Sequence, residues 1–65
     1  MNRWSNSKFK YVDDEKVDAF LAEVVEVCRK HGMSLGHEDS QGAFLVENFR
    51  DSNSRWLMQA MENMD

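Results

Sequence analysis

No proline occurs in the 65 residues, and glycine occurs only three times. Without a Pro- or Gly-rich stretch, a repeat or a low-complexity linker, nothing marks a boundary inside the chain, and residues 1–65 are expected to fold as one domain. Cysteine is scarce as well. The lone Cys28 excludes an internal disulfide and any zinc site built on a Cys-x-x-Cys pair. No apolar run approaches the roughly 18 residues of a membrane span, and the opening MNRWSNSKFKYV lacks the apolar core of a secretory signal. The expected location is therefore the cytoplasm, which a single unpaired thiol also fits, and no membrane partner is expected. So short a chain buries a smaller share of its surface than a typical domain. With neither disulfide nor metal to compensate, association with a second copy is the remaining device, and a homodimer or larger assembly is expected.

Charge is present but unevenly spread. Eight Lys+Arg against twelve Asp+Glu give a net −4, yet Arg3, Lys8 and Lys10 stand in the first twelve residues with no acid among them. That segment carries +3, while the remaining 53 residues carry five basic and twelve acidic groups, or −7. An acidic body repels a phosphate backbone and weighs against general nucleic-acid binding. The basic start over residues 1–12 is expected to be a solubilising tail or a lysine-guarded edge strand, partly disordered if it finds no partner. Within it Phe9 and Tyr11 alternate with Lys8, Lys10 and Val12, a period of two that suits a short strand.

The segment DDEKVDAFLAEVVEVCRKHG is the clearest element. Val17, Phe20, Leu21, Val24 and Cys28 form one helical stripe, widened by Val25 and Val27. Asp13 or Asp14 can cap the first turn, Arg29, Lys30 and His31 suit the negative end of the dipole, and Gly32 supplies the left-handed residue that ends it. After it, Met33, Leu35 and His37 alternate with Ser34, Gly36 and Glu38, and AFLVENF alternates in the same way. Between these runs Asp39-Ser40-Gln41-Gly42 is a competent turn, with Asp able to bond its own backbone and Gly able to take positive φ, so a β-hairpin is expected. Asp51 or Ser52 is expected to start a second helix carrying Trp56, Leu57, Ala60, Met61 and Met64 at helical spacing, with Met61 and Met64 in the core. The expected class is α+β, a (β)αββα domain in which two helices pack an antiparallel hairpin or three-stranded sheet.

Chemistry can be weighed on the same residues. His37, Glu38 and Asp39 are consecutive, so a strand points the first two to opposite faces, and no second imidazole sits at a ligand spacing; no metal site and no cofactor are expected. Ser40, His37 and Asp39 are the side-chain types of a triad, but they crowd into one tight turn with little volume for a cleft, and no catalytic residue is assigned. Cys28 continues the apolar stripe and reads as a core thiol. What remains is ligand binding by the hairpin. Backbone N–H groups from Ser40 to Gly42, the Ser40 hydroxyl, the Gln41 amide and the His37 imidazole can meet phosphate oxygens or base edges. Glu38 or Asp39 would accept from a ribose or base, and Tyr11 and Trp56 are the aromatic groups best able to stack on a base.

At HGMSLGHEDSQGAFLVENF the chain resembles a group of small, mostly uncharacterised bacteriophage proteins. They share a helix ending in C-x-K-x-G, a strand, the core H-E-D-S-x-G-A-F, an acidic segment and a closing W-L helix. The counterparts here are Cys28, Lys30 and Gly32, then His37-Glu38-Asp39-Ser40 with Gly42-Ala43-Phe44, and Trp56-Leu57. The likeness covers roughly residues 17 to 60, and Gln41 stands where the motif is associated with His. The resemblance implies phage origin and an accessory, non-enzymatic role in the host cytoplasm. Two expectations follow. One is sequestration of a small nucleotide-like signal of host defence by the HEDSQG hairpin of an oligomer. The other is an acidic inhibitor that docks on a host defence or nucleic-acid-processing protein, motivated by the −7 body and by Trp4, Trp56 and Met58.

Overall fold

A computed structural model describes residues 1–38, 40 and 42–64. The α+β class is as expected, but the order is ββαββα: β1 (Asn2–Ser5), β2 (Lys10–Asp13), α1 (Glu15–His31), β3 (Met33–His37), β4 (Phe44–Asn48) and α2 (Asp51–Met58). β1 pairs with β2 and β3 with β4, each antiparallel, forming two separate two-stranded sheets rather than one sheet of two or three strands. Both helices pack on β3, and α1 packs on α2.

α1 follows its sequence signals closely. The Asp14 carboxylate accepts from the N–H groups of Lys16 and Val17 at 3.1 and 3.3 Å, and Gly32 ends the helix at φ +67, its N–H donating to Arg29 and Cys28 carbonyls. Leu21 is 7% exposed and Cys28 is likewise buried, whereas Phe20 and Val27, assigned to the same stripe, are exposed. One helix flank has only a small hairpin to cover it, so the stripe is wider than the surface available to bury it.

The N-terminal segment is neither tail nor single strand. Asn6–Phe9 form a tight turn in which the Phe9 N–H donates to the Ser5 carbonyl (2.8 Å) and the Lys8 N–H to the Ser5 hydroxyl (3.1 Å). Phe9 sits at φ +56 in that turn, so the expected strand loses its first residues and begins at Lys10. Arg3 is 2% exposed: its guanidinium donates to an Asp18 carboxylate oxygen and, at 2.8 Å, to the Ala60 carbonyl. A charge that composition assigned to solvent is thus paired and buried between the hairpin, α1 and the C-terminal segment.

α2 ends at Met58, a full turn and a half before the helical spacing does. Residues beyond Ala60 instead run alongside β1. The Glu62 N–H donates to the Trp4 carbonyl (2.9 Å), the Asn6 N–H to the Glu62 carbonyl (2.8 Å), and the Ser5 hydroxyl to the Glu62 carboxylate, leaving Glu62 4% exposed. Met61 and Met64, expected in the core, are exposed as a result.

Candidate binding face

The second hairpin is built by the register Met33↔Asn48 to His37↔Phe44. One face, with Ser34, Gly36, Leu45 and Glu47, carries a polar network to α2. The Asn53 amide donates to the Ser34 hydroxyl and to the Glu47 carboxylate, both at 2.9 Å, and the Ser34 hydroxyl donates to the Asn48 carbonyl, also at 2.9 Å. Gly36 lies under this network; a Cβ there would strike the Glu47 carboxylate. Side chains alternate across a sheet, so Met33, Leu35 and His37 share the other face with Phe44 and Val46.

His37 and Phe44 are the last pair within the two strands, and both meet Trp56 of α2. Ring centroids lie 5.7 Å apart for His37 and Trp56 and 6.4 Å apart for Phe44 and Trp56. A cavity of ≈ 400 Å³ opens beside them, lined by Phe44, Trp56, Leu57, Gln59, Ala60 and Met61. Two of the sequence candidates, His37 and Trp56, are thereby brought together. Phe44 and Met61 were missed as site residues. The signal for Phe44 was its place opposite His37 in the hairpin; Met61 had none, because its exposure depends on the early end of α2.

The rest of the expected ligand set is divided. Glu38 extends the ladder by donating its N–H to the Ala43 carbonyl (2.9 Å), and its carboxylate Oε1 accepts both the Ser40 N–H (2.6 Å) and the Ser40 hydroxyl. The Ser40 donors proposed for a phosphate are therefore committed to a carboxylate of their own turn, which brings negative charge to the place an anion would occupy. Gly42 has φ +73, as the turn reading requires. Asp39 and Gln41 lie outside the described residues. Tyr11 belongs to the other sheet, where it packs edge-on against Trp4 at 5.2 Å, as does the Phe9 ring; among the described residues no ladder joins the two hairpins.

Asp18 is held by two cationic donors. The Met1 ammonium donates to it at 2.7 Å, and Arg3 donates to its other oxygen, and these two hydrogen bonds hold its carboxyl below the usual carboxylate range. The same bond raises the Met1 ammonium above its ordinary value. Among the described residues no three His, Cys, Asp or Glu side chains are placed to hold a metal ion, and no helix is long and apolar enough to cross a membrane. No family model matches the chain, and searches of curated proteins and of solved structures find no match.

Proposed function

We propose that this chain acts by binding, without chemistry of its own, and that it docks on a protein partner through the aromatic end of its second hairpin. The observation that carries this reading is the surface formed by His37, Phe44 and Trp56 beside Met61: Phe44 is 70% exposed and Met61 is exposed, while the adjacent cavity is lined mainly by apolar side chains. Aromatic and Met side chains clustered in the open are the composition of a contact core, and an acidic body around them can steer toward a basic partner. The phage resemblance of the hairpin adds that this partner is a host defence or nucleic-acid-processing protein, blocked by occupation of its working surface.

A retention experiment from bacterial lysate tests this. The wild-type chain should hold one stoichiometric partner in a salt-sensitive manner, and Trp56→Ala should release it while keeping the far-UV dichroism of the folded chain. Equal retention by both proteins, or none by either, would remove the reading.

A second reading, capture of a nucleotide-like signal, draws on the tilted His37–Trp56 pair, whose rings can take a planar base. Its weakness is the commitment of Ser40 to Glu38. Quenching of tryptophan emission by cyclic or linear nucleotides in the wild type, with no quenching in Trp56→Phe, would favour it over docking on a protein.

A further inference from the structure

β4 is an open edge. Among the described residues it pairs with β3 alone, and Phe44 and Val46 on it are each 70% exposed. The ladder fixes which main-chain groups face outward. The Glu38 N–H meets the Ala43 carbonyl and the Phe49 N–H meets the Gly32 carbonyl, so Leu45 and Glu47 turn their main-chain groups toward β3. The alternation of an antiparallel pair then leaves the N–H and C=O of both Phe44 and Val46, and the N–H of Asn48, on the outer side. The Asn48 carbonyl is engaged by the Ser34 hydroxyl.

Exposed edges are ordinarily guarded by lysine, proline, a bulge or a covering segment. The outer edge of β1 is covered by Glu62, and β2 carries Lys10 and Asp13 at its ends. The β4 sequence FLVEN has no such guard, and its single charge, Glu47, is drawn to Asn53 on the face of α2. Its neighbours on the opposite face, Leu35 and Met33, continue an apolar surface across the hairpin.

The size of the molecule points the same way. Its accessible surface is 5121 Å², whereas a compact folded chain of this mass exposes about 4,300 Å². The excess of about 800 Å² equals the share that one partner contributes to an interface of standard size. The radius of gyration, 12.6 Å, exceeds the roughly 10.8 Å of a compact domain of this length.

We infer that β4 pairs with β4 of a second copy, antiparallel across a two-fold axis at Val46, to make one continuous four-stranded sheet. The outward groups are self-complementary in that register. Val46 lies opposite its counterpart and exchanges an N–H to C=O bond in each direction, and the Phe44 carbonyl of each copy accepts from the Asn48 N–H of the other. Leu35 and Val46 of both copies form a single apolar row flanked by Met33 and Phe44. The arrangement is isologous, so it closes at two copies and leaves no β4 edge for further growth.

Sedimentation equilibrium of the full chain from about 1 to 200 µM tests the inference. The wild type should reach the mass of two chains, and Val46→Lys should stay at one with unchanged far-UV dichroism. A one-chain mass for the wild type throughout overturns the inference, and so does a two-chain mass for Val46→Lys, since association would then use another surface. Amide exchange of the wild type is the second measurement and stands even if the variant does not fold. The Val46 N–H should be protected at high concentration and lose protection on dilution, while the Leu45 N–H stays protected. A Val46 N–H that exchanges equally fast at both concentrations overturns the inference.

Discussion

Leu21→Ala and Val27→Ala stand on the same helix and are equally apolar in sequence, yet the structure assigns them different costs. Leu21 is 7% exposed, and its truncation to Ala removes three carbons worth about 0.8 kcal/mol each, or about 2.4 kcal/mol of transfer free energy. The cavity left behind adds little where neighbours are half-exposed and able to collapse, so about 2–3 kcal/mol is expected, at the low end for Leu→Ala. Val27 is 58% exposed; the small burial it loses is offset by the gain of about 0.5 kcal/mol in helix propensity from Val to Ala. Its net change should stay within about 0.5 kcal/mol of zero. A chain of this length has about 3–10 kcal/mol of stability to lose. Its unfolding entropy of about 0.14 kcal/mol/K converts the Leu21 loss to a fall in Tm of about 15–20 °C. Calorimetry, or urea unfolding followed by far-UV dichroism, measures both variants, at one protein concentration so that association does not shift the midpoint. Equal losses for the two, or a larger one for Val27→Ala, would refute the assignment of the core.

Asn53→Asp removes a donor from Ser34 and sets a carboxylate against that of Glu47, and should cost about 1–3 kcal/mol at neutral pH; the loss should shrink as the pH is lowered toward 4 and the variant carboxyl protonates, and urea midpoints that do not converge with the wild type would count against the network. Asp18 has a folded pKa below its unfolded value, so its contribution is present above the ordinary carboxylate range and is lost as the pH falls through the folded pKa. Asp18→Asn should therefore flatten the acid side of the stability profile below about pH 4. The Met1 ammonium, raised by the same bond, works in the opposite sense: its contribution is complete below the unfolded pKa and is lost as the pH rises through the folded one, which the alkaline limb of the same profile reads out. Gly32→Ala forces a Cβ into φ +67 and should cost about 1 kcal/mol through the backbone alone, since the space around it is open; thermal midpoints should show it.

How much was legible depended on how local each cause was. α1 announced itself because its cap, its stripe and its stop lie within the helix or next to it, and the hairpin did so because alternation and turn chemistry are both short-range. The early end of α2 could not be read, since Trp56 to Met64 keep helical spacing and what draws Glu62 away is Ser5, at the far end of the chain. Arg3 looked like part of a basic tail for the same reason: the Ala60 carbonyl and Asp18 that make its burial tolerable are distant in sequence. At the candidate site the sequence offers His37 and Trp56 only separately, and the packing of α2 on β3 joins them. Tyr11 falls in the other sheet, which the sequence does not reveal because period-two patterning gives a strand its face but not its sheet.

The capture of Arg3 by the Ala60 carbonyl spans 57 positions. At the usual pace of synthesis, about 5–20 residues per second, roughly 3–11 s separate the making of these two partners. Throughout that interval the first hairpin has an arginine without its carbonyl acceptor and a β1 edge without Glu62, so it can be only provisionally formed while the chain grows. The β3–β4 ladder, by contrast, joins strands close in sequence and needs no partner from the far end of the chain. The native form of this protein's beginning thus waits on the segment made after α2.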